Sequence, residues 1–207
     1  MDAYSYLFRG YVFANAQTGN MLLFGVNFAD GDFSNAVKYL WPVLAFAIGI
    51  VISDIINGKR DFIKIHWRQI AVLIEIIILI IVAFLPENYN SLANILTSFA
   101  CGIQVESFRK IHGNSIATTM CIGNLRTATN NLVKFFSSRE KGYLRKAFLY
   151  YGIIVMFVSG AIIESHLIKI FGEKAILLSP VLLAAALIIM FSKIDDDKKN
   201  LSMEKDE

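Results

Sequence analysis

Residues 69–86 read QIAVLIEIIILIIVAFLP, and in eighteen positions the only charged side chain is Glu75. A bilayer-spanning helix needs about 20 mostly apolar residues, with a range of roughly 17–25. This run is apolar on every face, which a surface helix of a soluble protein is not. Working outward, four further runs qualify: 39–57, 91–106, 147–168 and 175–192. Trp41 and Tyr39 open the first of them as interface anchors. The 207-residue chain is 56% hydrophobic and 18% charged, with mean hydropathy +0.54. Its polar residues gather in islands between the apolar runs. The fold class is therefore an all-α, polytopic helical membrane protein.

Other classes fall away on the same evidence. The net charge of +3 comes from basic residues lying between spans, which argues for membrane orientation and against nucleic acid. Cys101 and Cys121 sit in apolar segments and read as small buried residues, with no disulfide or metal spacing. His66, His112 and His166 are scattered. No His-Glu-x-x-His, Gly-x-Ser-x-Gly or phosphate-binding glycine loop is present, so no enzyme and no cofactor are expected. The opening MDAYSYLFRG lacks the basic start and apolar core of a cleavable signal.

Two segments break the apolar pattern: FANAQTGNML at 13–22 and TTMCIGNLRT at 118–127. They belong to an internal repeat. Asp2 and Glu106, Tyr4 and Phe108, and the two Gly-Asn pairs are all separated by 104 residues, with Gly10 and Gly113 one position out of register. The first half is 1–90, the second 91–192, and 193–207 is a charged tail expected to be disordered. About six to seven spans result. Only Met1 precedes Asp2, so the first helix of the first half reads as truncated.

Charge distribution bears on topology. If 11–29 and 115–133 cross fully, Lys and Arg divide almost evenly between the two faces. If both are re-entrant, the halves are inverted, with fifteen basic residues on the cytoplasmic face and four outside. The inverted arrangement obeys the positive-inside rule better.

Non-helical backbone at membrane depth needs protein or a water-filled cavity to satisfy it. Gly permits such backbone, and Asn caps a following helix. The sequence thus predicts helix breaks at Gly19 and Gly123, with Asn20 and Asn124 starting the next pieces. Two breaks facing each other would make a substrate site from Thr18, Gly19, Asn20, Gly123, Asn124 and Arg126, with exposed helix starts favouring anions. Plain helix packing through small residues competes on equal terms. Glu75, in mid-span without a local cation, is a candidate proton carrier or an interhelical hydrogen-bond former. Asp54 and Glu164 read as interfacial. Asp2 and Glu106 are expected to pair with Arg9, Arg109 or Arg126.

The quoted residues resemble those of the YoaK-like family of bacterial integral membrane proteins, a family without assigned function. The matching positions are Asp2-Ala3, Phe13, Thr18-Gly19-Asn20, Gly102-Ile103-Gln104, Thr118-Thr119 and Gly123-Asn124. Ile122 stands where the family pattern has a second Thr. The resemblance implies a multi-pass protein of the bacterial cell (inner) membrane. The expected function is a small-solute transporter or channel, with a non-catalytic scaffold or partner subunit as the alternative. The expected partners are the lipid bilayer, an unidentified small solute and a second copy in a homo-oligomer.

Overall fold

Helix length sorts the segments before any packing is considered. The computed structural model describes residues 1–58, 67–108, 110–111, 114–115 and 121–203. It contains α1 (Asp2–Phe8), α2 (Gln17–Ala29), α3 (Phe33–Gly58), α4 (Trp67–Ala83), α5 (Asn90–Ser107), α6 (Cys121–Ser138), α7 (Lys141–Phe171) and α8 (Leu178–Met203). Two 3-10 turns lie at Glu87–Tyr89 and Gly172–Leu177. A two-residue antiparallel ladder pairs β1 (Lys110–Ile111) with β2 (Asn114–Ser115). The all-α class holds. The basic loop at 59–66, Arg109, His112, Gly113 and Thr118-Thr119 lie outside the described residues.

At about 1.5 Å per residue, the 13-residue α2 is about 20 Å long, short of a hydrocarbon core of about 30 Å. The other helices above 16 residues approach or exceed that thickness. By length and composition, α3 and the continuous stretch Lys141–Ser192 are apolar enough to cross a membrane. Only 17% of the apolar window in that stretch is buried. Its side chains face outward: Val155, Ile162 and Ile170 on α7 and Val181, Ile188 and Ile189 on α8 are all more than half exposed. A soluble protein does not display so large an apolar surface.

The interior is built on two crossings. On α3 and α5, Gly49 and Gly102 bring the backbones together, and a β-carbon on either would run into the carbonyl of Phe99 or Phe46. One end of this seam is closed by the hydroxyls of Ser53 and Ser107, 3.0 Å apart. A second core gathers Tyr4, Leu79, Val82, Ala83, Ala93, Ala175 and Ile176, where α1, α4, α5 and the Gly172–Leu177 turn meet.

Several boundaries differ from the sequence expectation. Residues 11–16 are not helical, so the first polar segment enters as a loop and only α2 is helix. The second polar segment, expected to end at 133, is helical to Ser138. Helix α7 begins at Lys141, six residues early. Helix α8 continues into the charged tail as far as Met203. Tyr39 is buried, so of the two expected anchors only Trp41 faces outward. Asp54 is exposed as expected, whereas Glu164 is 4% exposed and belongs to the interior. The reason is position: α1 packs on α7 and covers the helix there.

Candidate functional site

The site grows from a chain reversal. After α1 the backbone turns through Gly10 (φ 89°) and Tyr11 (φ 62°), two left-handed residues in succession. Gly adopts this conformation without strain, whereas Tyr does not. The chain then runs back into the protein, with Val12 and Ala14 wholly buried. A buried irregular strand of this kind must have its peptide groups satisfied, and side chains do so. The Asn20 Oδ1 accepts the Phe13 N–H at 3.0 Å, while its Nδ2 donates to the Phe13 carbonyl at 2.7 Å. Ser5 Oγ accepts the Ala14 N–H at 2.9 Å. Asp2 Oδ1 accepts the N–H groups of Asn15 and Ala16 at 2.7 and 3.3 Å. Gln17 Nε2 donates to the Ala14 carbonyl at 2.8 Å, and its Oε1 accepts the second Asn20 N–H at 2.8 Å.

This explains the Thr-Gly-Asn triplet and corrects one reading of it. Helix α2 starts at Gln17 with Ala16 as its N-cap, so Asn20 is the fourth helical residue and does not start the helix. Its amide instead mimics a neighbouring peptide and holds the returning loop. Gly19 is required because a β-carbon there would lie 2.7 Å from the Phe13 ring. In the second half, α6 runs from Cys121, so Gly123 and Asn124 occupy the same third and fourth places. A β-carbon on Gly123 meets nothing within 4 Å.

Thr18 and Gly123 line one cavity of about 590 Å³. Asp2, Asn15, Gln17 and Cys121 supply its other polar groups, and Tyr6, Phe13 and Phe157 its aromatic wall. A neighbouring cavity of about 370 Å³ shares Asp2, Asn15 and Phe157 and extends to Ser159, Glu164 and Ser179. Of the expected site residues, Thr18 and Gly123 therefore meet, and Gly19 lies behind the loop. Asn20 and Asn124 are buried and do not line the cavity. Arg126 is exposed and does not line it either. With no Arg at the wall and with Asp2 on it, the cavity has acidic character, opposite to the anion preference that the helix starts suggested.

Glu75 is fully buried in α4, and neither carboxylate oxygen has a hydrogen-bond partner. Glu75 and Asp2 both lie within electrostatic reach of Cys101, which is buried and lines the smaller cavity. Among the described residues, no group of three or more His, Cys, Asp or Glu could hold a metal ion.

The role of Arg9 differs from the expectation, in which it was one of three alternative partners for Asp2 and Glu106. The Arg9 guanidinium is 1% exposed and instead closes the C-terminal end of α4. Its Nε donates to Tyr4 Oη at 2.9 Å. Its terminal nitrogens donate to Asn90 Oδ1 and to the carbonyls of Val82, Leu85 and Pro86 at 2.7–3.3 Å. All five N–H donors are thus used. The negative end of the helix dipole serves as counter-charge. A lone Arg ahead of Gly10, flanked by Tyr4 and Phe8, was the available signal.

A family model described as "Protein of unknown function (DUF1275)" matches residues 1–189. The UPF0700 transmembrane protein YoaK of Bacillus subtilis (strain 168) is 27% identical over 175 residues, covering 79% of this chain and 76% of that protein. No solved structure matches the chain.

Proposed function

The chain belongs to the DUF1275 family, and on that premise we propose that this membrane protein is a small-solute transporter or channel, multi-pass in the bacterial cell (inner) membrane. Its substrate site is the larger cavity, where the first turns of α2 and α6 converge. The observation that carries this reading is the joint presence of Thr18 and Gly123 on one cavity wall, 105 positions apart in the sequence. Transporter sites commonly lie where repeated, interrupted helices meet.

Further support comes from the pairing of elements. Helix α2 packs on α3 as α6 packs on α7, and α1 packs on α7 where α5 packs on α3. In this reading α3, α4, α5, α7 and α8 cross the bilayer, while α2 and α6 enter and leave on one face. The length of α2 favours that assignment, because 13 residues do not span. Glu75 carries a proton between the α4 interior and the cavity, by way of the region around Cys101. Its unpartnered carboxylate supports this role.

A second reading, a non-catalytic scaffold, is favoured by the Asn20 amide, which is wholly occupied by Phe13 and Gln17. The test separates the two. Gly123→Trp puts bulk into the cavity from a position where a β-carbon meets nothing within 4 Å, and its thermal midpoint checks that the fold is intact. In proteoliposomes, a panel of small solutes should show flux through the wild type that Gly123→Trp abolishes. Absence of flux for every solute, or flux indifferent to Gly123→Trp, would return the cavity to packing.

A further inference from the structure

We infer that the joined cavities bind a small organic monocation, of the alkylammonium class. The inference rests on the cavity reading above and adds the charge and type of its ligand. Two carboxylates line the cavity system, Asp2 at the junction and Glu164 in the smaller part. Glu164 is 4% exposed, and its Oε1 has no hydrogen-bond partner. A buried carboxylate oxygen without a partner is costly, and a bound cation relieves that cost. No Lys or Arg side chain lines either cavity among the described residues. Met1 also lines the smaller cavity, and its α-amino group is the positive charge that reaches Glu164, one amine against the two carboxylates.

The rest of the lining selects the kind of cation. Tyr6, Phe13 and Phe157 offer aromatic faces, which attract poorly hydrated ammonium groups. Met156, Leu178 and Leu182 make the smaller part strongly apolar. A divalent metal needs several oxygen ligands converging on one point. The described residues do not gather them. An alkylammonium ion, with charge for the carboxylates and methyl groups for the rings, matches both components. The volumes, about 370 and 590 Å³, fall in the usual small-ligand range of roughly 300–1,000 Å³.

Cys121 lines the larger cavity and provides the readout. In full-length protein carrying Cys101→Ala, held in membranes, the rate of Cys121 alkylation by iodoacetamide would be followed. Tetramethylammonium should slow alkylation at least fivefold. Tert-butanol, its neutral counterpart in shape, and acetate at the same concentration should not. Glu164→Gln should raise the half-protecting concentration about tenfold, and Glu164→Asp should restore most of it. The thermal midpoint of each variant, measured in the same detergent, checks that the fold is intact. Asp2→Asn provides a second charge removal should Glu164→Gln fail to fold. Equal protection by tert-butanol or acetate, or protection unchanged in Glu164→Gln and Asp2→Asn, would overturn the cation assignment and leave the cavity standing. An alkylation rate that neither any probe nor Gly123→Trp alters would overturn the cavity reading and the cation assignment with it.

Discussion

Gly49 on α3 and Gly102 on α5 face each other so closely that a β-carbon on Gly49 would lie 3.2 Å from the Gly102 α-carbon and run into the Phe99 carbonyl oxygen. The relation is reciprocal, since a β-carbon on Gly102 would strike the carbonyl of Phe46. Close approach through small residues is how helices associate in lipid, where burial of apolar surface gives little drive. Gly49→Ala and Gly102→Ala should each cost about 1–3 kcal/mol. The double variant should cost less than the sum, because the first methyl already separates the helices. Unfolding in mixed micelles, followed across the double-mutant cycle, reads both expectations. Strict additivity would mean that the two glycines do not share one contact.

Arg9 is the most heavily bonded side chain in the interior, and its replacement leaves helix-end carbonyls without donors. Arg9→Met should destabilise the protein by about 3–5 kcal/mol, the usual cost of breaking a buried charged network. Arg9→Lys should recover only part of this. Lysine has three donors where the guanidinium uses five, and its ammonium is not planar. A lysine variant as stable as the wild type would show that charge alone closes the end of α4.

Asn20 separates a fastening role from a ligand role. Asn20→Leu removes the amide that pairs with Phe13 and orphans a buried N–H and C=O, at about 1–3 kcal/mol for each group. Limited proteolysis should then cut within residues 10–16 faster than in the wild type. Proteolysis unchanged from wild type would mean that Asn20 does not fasten the loop.

Asp32 caps α3 from outside the spans. Its Oδ1 accepts the Asn35 N–H at 3.1 Å and its Oδ2 accepts the Asn35 side chain at 2.7 Å. The Asn35 backbone bond, then its side-chain bond, holds the Asp32 carboxyl below the usual carboxylate value. A group with a depressed folded-state pKa stabilises above its unfolded value, and that contribution is lost as pH falls through the folded value. Amide exchange in the first turn of α3 should therefore quicken only under acid conditions. In Asp32→Asn that acid step should be absent.

Topology is open to a direct test. In a version without Cys101 and Cys121, single cysteines at 32 and 140 should label from opposite sides of the membrane, with Asp32 outside and Glu140 inside. Labelling from one side would make α2 and α6 full crossings, in parallel halves.

The helical class, the apolar runs and the segments that depart from them were legible in the sequence, because lipid solvation is a property of composition read locally. The region 69–86 needed no partner to be recognised, and α5 begins and ends within a residue of the run 91–106. The Gly-Asn pairs were legible as departures from the apolar pattern, but the helix breaks expected at Gly19 and Gly123 are not there, since both pairs lie within the first turns of α2 and α6.

What each polar atom does was not legible. Asn20 looks the same in sequence whether it caps a helix, binds a solute or clamps Phe13. Arg9 looks like a loop cation until the end of α4 is brought beside it from 73 to 77 residues away. Glu164, near the end of an apolar run, was expected at the interface, and only the packing of α1 on α7 makes it an interior carboxylate. The sequence by itself determined that the chain is helical and where its apolar runs lie. The tertiary structure alone decided which buried donors and acceptors satisfy one another and which carboxylates face a cavity. Hydrogen bonding and charge compensation act over a few ångströms between residues far apart in the chain, whereas hydropathy is summed residue by residue along it.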